Sequence, residues 1–396
     1  MCRSAMCWSV LILFLALTEA NAQQGIGKAI PLGNDPVGEL LMLFMRPVGM
    51  GGNPKREAKD FYEKVWQNVN AASGGMAAER VDPQTGAVGN NRQGRGPMNI
   101  REQEVTGLSL LRAGKQQEDP QLTLLGAKAI HFGFQHMQNE DGSFMYSQPG
   151  GKSVKGTALF TAAASQAIQL LSTPRDREQY GKILEFWRKS TQTAALWLCG
   201  VANVPGVEKK LSHADEASAV VNALIQYDAI SLANERALIH AGIERWIAIL
   251  GGPSMQNTQG AFRAGQGADT ILQSYVLVHL SEAYAHNRVA SLDEPLLSIL
   301  GKGANWQKQS VGKDGKPDLR NNTIKRNTKD LELMDLAMLI LSLKMWAIVG
   351  GDQEADTKSR DMIMYTISNL NQFSSEWAGD FVKGAMGGIQ QKVGGR

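Results

Sequence analysis

Apolar positions recur at helical spacing along almost the whole chain, and they do so in two manners. In Ile239, Ile243, Trp246, Ile247 and Leu250 the apolar residues share one face with charges between them, the stripe of a helix half-exposed to solvent. The stretches 55–70, 121–138, 177–199, 292–307 and 357–372 read the same way. From Thr157 to Ala164 and from Leu331 to Trp346, apolar residues run nearly all round, so these helices must be buried on every side. No alternating strand run of useful length interrupts them, and Gly and Pro gather between the helices.

The fully apolar helices begin near Gln103, Thr157, Asp215, Asp269 and Asp330, a period of about 57 residues. One half-exposed helix, one buried helix and two loops fill that length. Such alternation predicts two concentric rings, an all-α fold of the α/α toroid kind with five or six hairpins; an open superhelix of helix pairs is the rival. The ring is expected over 55–373. A Gly-, Pro- and Met-rich lead-in at 23–54, with one apolar piece from Val37 to Met45, precedes it, and a flexible tail at 374–396 follows.

One turn between helices is written twice. Gln138, Asp141, Gly142 and Phe144 form a Gln-x-x-x-Gly-x-Phe run, as do Gln256, Gly260 and Phe262, and a looser third copy spans Trp306 to Gln309 with Asp314-Gly315. Gln at a helix end can satisfy late carbonyls, Gly supplies the positive φ that stops the helix, and the aromatic fills the groove beside it. On these residues the chain resembles the repeat of the squalene-hopene cyclase and protein prenyltransferase superfamily. The resemblance implies a toroid and reaches most of 55–373 in periodicity, but only the turns in motif. The superfamily's chemistries are not carried over. No D-x-D-D run occurs, and Asp330-Leu-Glu-Leu-Met-Asp335 has a different spacing. Cys199 has no zinc constellation, and Cys199-Gly200 continues as Val-Ala rather than the Glu-Gln of a thioester.

The first 22 residues carry Arg3, an apolar run from Trp8 to Leu17 and the small-x-small run Ala20-Asn21-Ala22, the pattern of a cleaved secretory signal peptide. The run is too short to span a bilayer, so the protein is expected to be secreted or periplasmic with no stable membrane span. Cleavage removes Cys2 and Cys7 and leaves Cys199 alone; no internal disulfide is then possible, and the apolar core must supply the stability. A lone Cys also argues against a structural zinc site, and no metal or cofactor is expected. The net charge of +3 is mild and no nucleic-acid motif is present, which excludes nucleic acid as a partner. Nothing in the sequence bears on oligomeric state.

In a two-ring toroid the loops leading into the inner helices surround one mouth of the central cavity. Taken as 74–101, 139–155, 200–212, 251–267 and 309–329, they hold fifteen Lys and Arg against seven Asp and Glu. A one-sided positive field attracts anions. Arg95, Arg101, Lys155, Arg263 and Arg320 are therefore the ligand-binding candidates, and an anionic polysaccharide or other anionic ligand is the expected partner. The inner helices open on acids and hydroxyls, among them Glu102, Glu104, Thr157, Asp215, Asp269 and Asp330, which is ordinary capping chemistry. Facing one cavity, Asp215, Asp269 and Asp330 would also offer the paired carboxylates of glycan cleavage. His213 and Tyr275 add side chains able to move protons. The leading expectation is ligand or partner binding at a basic mouth. The alternative is a polysaccharide lyase or glycoside hydrolase acting on an anionic polysaccharide.

Overall fold

The computed structural model describes residues 36–49, 51–93, 98–147, 150–324, 331 and 333–369. The signal-like segment, the expected tail, Arg95 and Asp330 lie outside these residues. Twelve helices of ten residues or more organise the described chain: α1 (Pro36–Met45), α2 (Pro54–Glu79), α3 (Ile100–Gln116), α4 (Pro120–Met137), α5 (Val154–Leu170), α6 (Pro174–Ala202), α7 (Ala214–Asp228), α8 (Arg236–Gly251), α9 (Thr270–His286), α10 (Asp293–Lys308), α11 (Leu333–Gly350) and α12 (Gln353–Ser368). Local chemistry starts them. Asn53, Asn99, Asp119, Asp269 and Asp352 each accept a hydrogen bond from free backbone N–H groups in the first turn of their helix, and proline opens α2, α4 and α6.

Inner helices α3, α5, α7, α9 and α11 pack each on the next, and α2 packs on α9, α11 and α3, completing a ring. Outer helices α4, α6, α8, α10 and α12 cover their inner partners and touch side to side, while α1 lies on α2 and reaches α12. The fold is an all-α toroid of six hairpins, closed rather than an open superhelix. Inner helices begin within about three residues of the expected starts. Trp187, Trp246, Phe144, Phe160 and Phe262 are completely buried between the two rings. Among the described residues no helix is long and apolar enough to cross a membrane.

Two expectations are corrected. The stretch 55–70 was expected in the outer ring, yet α2 holds the sixth inner position. Its covering helix α1 has 10 residues against 26 in α2, so Glu63, Lys64 and Gln67 stay in solvent while Tyr62, Val65 and Val69 are buried. The amphipathic stripe reports exposure, not ring position. The ring accordingly starts at α1, inside the segment read as a lead-in.

The repeated turn has a different role from helix termination. Gln138 Nε2 donates to Gly142 O and to Ser190 O of α6 at 2.9 Å; Gln256 Nε2 donates to Gly260 O and to Ile299 O of α10 at 3.0 Å. Each Gln thus crosses to the next outer helix. The turn glycines have positive φ, 91° at Gly142 and 92° at Gly260. A Cβ at Gly260 would stand 2.1 Å from Lys302 O, and one at Gly142 2.7 Å from Thr193 O. Gly315 (against Asp361) and Gly86 (against Lys128) repeat this approach, so the third copy is registered on Val311–Pro317 and a fourth exists at Val81–Val88.

The ring is sewn shut by a buried ion pair. Lys344 Nζ of α11 donates to Asp356 Oδ1 of α12 and to Arg46 O, both at 2.6 Å. The other oxygen of Asp356 receives Arg360 and the Val48 amide.

A candidate active site at the centre of the ring

The inner helices turn a sparse set of polar side chains inward at helical spacing. Arg101, Glu104 and Arg112 share one face of α3; Ser218, Asn222 and Gln226 share one face of α7; His279 and Glu282 are three apart on α9. Tyr62 and Trp66 come from α2 and Gln166 from α5. Arg101, Glu104, Arg112, Gln166, Asn222, His279, Glu282, Tyr62 and Trp66 line a central cavity of about 80 Å³. That space holds a few water molecules and is well below the roughly 300 Å³ at which pockets for whole small ligands begin.

Two carboxylates stand in this cavity in unlike settings. Burial raises the Glu104 carboxyl from 4.5 to about 7; Arg101, bonded at 2.8 Å, and Arg112 oppose that rise, and Glu282 adds to it. Glu282 is surrounded by amide donors: Asn222 Nδ2 at 2.8 Å, Gln166 Nε2 at 3.1 Å and Gln226 Nε2 at 3.4 Å. All three are N–H donors, and the Glu282 oxygens accept from each. The Tyr62 hydroxyl, also bonded to Glu282, is pushed well above its ordinary value by burial and then by that carboxylate.

The cations of the cavity are held differently. Arg112 places its guanidinium carbon 4.6 Å from the centre of the Trp66 ring and donates to Gln166 Oε1. Burial lowers its pKa. Burial likewise lowers His279 to about 3, which leaves the imidazole neutral with Nδ1 3.2 Å from Ser218 Oγ. Among the described residues no group of three His, Cys, Asp or Glu is arranged to hold a metal ion.

Of the residues singled out from the sequence, Arg101 lines the cavity. Lys155 pairs with Asp215, and that pair lies near enough to His279 to act on its charge. Asp215 is buried, and its Oδ1 has no hydrogen-bond partner. The remaining candidates stand outside the lining. His213 sits at the start of α7, where its Nδ1 accepts from the Gly265 amide at 2.9 Å. Asp269 caps α9 through Ile271 N and Leu272 N. Tyr275 is half-buried against the apolar core. Arg263 donates to Glu208 O and Leu211 O, and exposed Arg320 clasps Asp318. Other loop cations are engaged in the same way, Lys152 by Asp141 and Arg80 by Glu102. Arg112, Gln166, Asn222, His279 and Glu282, which also line the cavity, lie within helices rather than in the loops and helix starts. On α7 and α9 the signal in the sequence is polar residues three or four apart, Ser218, Asn222 and Gln226 and then His279 and Glu282; Arg112 lies in a helix already rich in charge, and Gln166 is the one polar residue that α5 gives to the lining.

No protein-family model and no curated protein matches the chain. Among solved structures, an unsaturated glucuronyl hydrolase specific for heparin is similar, with 11% identity, 77% of this chain and 98% of that chain covered, and a TM-score of 0.41. A second unsaturated glucuronyl hydrolase, responsible for glycosaminoglycan degradation in Bacillus sp. GL1, has 11% identity, 62% and 83% coverage, and a TM-score of 0.39. Scores of this size carry no residue or reaction across; the toroid rests on the helix packing described above.

Proposed function

We propose that the central cavity is an acid–base site for cleaving an anionic polysaccharide, on a toroid related through its turns to the cyclase and prenyltransferase repeat. The supporting observation is the pair Glu104 and Glu282 in one cavity, held by environments that separate their roles. A carboxyl near 7 can give a proton at neutral pH, and a neighbour ringed by amide donors can accept one. In this reading Glu104 protonates the leaving oxygen of the glycosidic linkage. Glu282 takes the other proton, from water in hydrolysis or from the carbon beside a uronate carboxylate in elimination. The signal-like first 22 residues support export, which N-terminal sequencing of the mature protein tests: it should begin at Gln23.

The test is incubation with uronate-containing polymers, following new reducing ends and the ultraviolet absorbance of unsaturated ends. Reducing ends should form, and Glu104→Gln should lower their rate by about 10²–10⁴-fold. Absorbance that rises with them assigns elimination; reducing ends alone assign hydrolysis. No reducing ends from the wild type, or full activity in Glu104→Gln, overturns the reading. A purely binding role for an anionic ligand is the second reading, favoured by the small cavity.

A further inference from the structure

We propose that Arg112 and Asn222 together form a seat for a carboxylate and a neighbouring hydroxyl, so that the group held inside the ring is the hydroxy-acid end of a sugar acid. This rests on the central cavity being the substrate site. Arg112 is half-buried, and it lines the cavity. Its face is stacked on Trp66, and it donates to Gln166 and shares a hydrogen bond with Tyr62. Among the described residues no carboxylate forms a salt bridge with it. A guanidinium has five N–H donors in a planar fork that matches a carboxylate; Glu282 and Glu63 act on Arg112 through their fields and form no salt bridge with it, so donors remain for a carboxylate that enters the cavity.

Asn222 supplies the complementary group. Its Nδ2 donates to Glu282 Oε2 at 2.8 Å. A carboxylate oxygen can only accept there, so the amide orientation is fixed by chemistry and Oδ1 is turned the other way. That Oδ1 is buried and has no hydrogen-bond partner. A buried acceptor left unmet is destabilising, and a hydroxyl that donates to it removes the penalty. Gln166 bridges the parts: Oε1 receives Arg112, and Nε2 donates to Glu282. The anion seat is thereby tied to the carboxylate that accepts the proton. A cavity of about 80 Å³ takes a carboxyl and its adjoining carbinol, while the rest of a sugar ring remains on the mouth side.

Isothermal titration calorimetry on the mature protein tests the seat with three probes: D-glucuronate, D-glucose, which lacks the carboxylate, and acetate, which lacks the hydroxyls. Glucuronate should bind about tenfold or more tightly than either. Arg112→Lys keeps the charge but loses the fork, and Arg112→Gln loses both. Both should shrink the preference for glucuronate over glucose, with Arg112→Gln removing it. Asn222→Leu should weaken glucuronate and leave acetate unchanged. Lactate, a free hydroxy acid, separates the two sources of this chemistry. Lactate weaker than glucuronate supports a sugar acid, and lactate equal to it overturns the sugar part of the proposal. Circular dichroism on each variant checks folding. The seat is overturned if wild-type protein binds no glucuronate, binds it no better than glucose, or keeps its preference in folded Arg112→Lys and Arg112→Gln. Binding is read in Glu104→Gln as well. Glucuronate held by a wild type that cleaves no polymer refutes the catalytic reading alone, and cleavage that survives Arg112→Gln refutes the seat alone.

Discussion

Two buried charge clusters hold this ring together in different senses. At the seam, Lys344 and Asp356 answer one another, and the Arg46 carbonyl, the Val48 amide and Arg360 take up further bonds. At the centre, Glu104, Arg112 and Glu282 surround open space, and Asn222 Oδ1 meets nothing. The seam directs its charges at protein partners, whereas the centre places its charges around a cavity. Burial of charge is common to both, so burial alone does not mark a site.

The largest effect should come from the seam. Lys344→Met leaves the Asp356 carboxylate buried without its main partner and should cost about 3–5 kcal/mol in urea unfolding. Lys344→Met combined with Asp356→Leu should restore much of that loss. A cost under about 1 kcal/mol would show that the seam does not hold the ring.

The centre should answer to pH instead. Glu104 rises from 4.5 to about 7 on folding, so the folded protein holds the extra proton between those values. Its contribution to stability therefore falls as pH rises through that window, by on the order of 3 kcal/mol. Arg101, Glu282 and Arg112 face this carboxyl, and Glu104→Gln removes its titration together with the charge it presents to Arg101. Relative to wild type, Glu104→Gln should gain stability between pH 4 and pH 8 in urea midpoints; parallel curves would refute the assignment.

A control outside both clusters gives the smallest change. Gly260→Ala must hold φ near 92° and drive its Cβ toward Lys302 O, for about 1–3 kcal/mol. Gly206→Ala, at φ 71° with open space around it, should lose only about 1 kcal/mol in the same thermal or urea assay.

The fold was largely legible in the sequence because helices such as 333–350 are apolar on every side, and the period of their starts counts the repeats. Closure was not, since α2 keeps a solvent face under the short α1 and so has the pattern of an outer helix. The site was the least legible part. His279 and Glu282 stand singly among apolar neighbours in α9, and what they meet depends on helices far away in sequence. The basic loops show a related gap between sequence and structure. Composition shows Arg320 and Lys152 as cations, but only the folded loops bring Asp318 and Asp141 against them.

The bond from Lys344 to the Arg46 carbonyl spans 298 residues of chain. On a ribosome, the first hairpin is made long before the helices that hold its far side exist. Its apolar inward face must wait for nearly the whole sequence, and closing so long a loop is entropically costly and slow. The nascent chain is therefore exposed to misassembly for most of its synthesis, and loss of α12 would remove Asp356, the partner that Lys344 and the Val48 amide share.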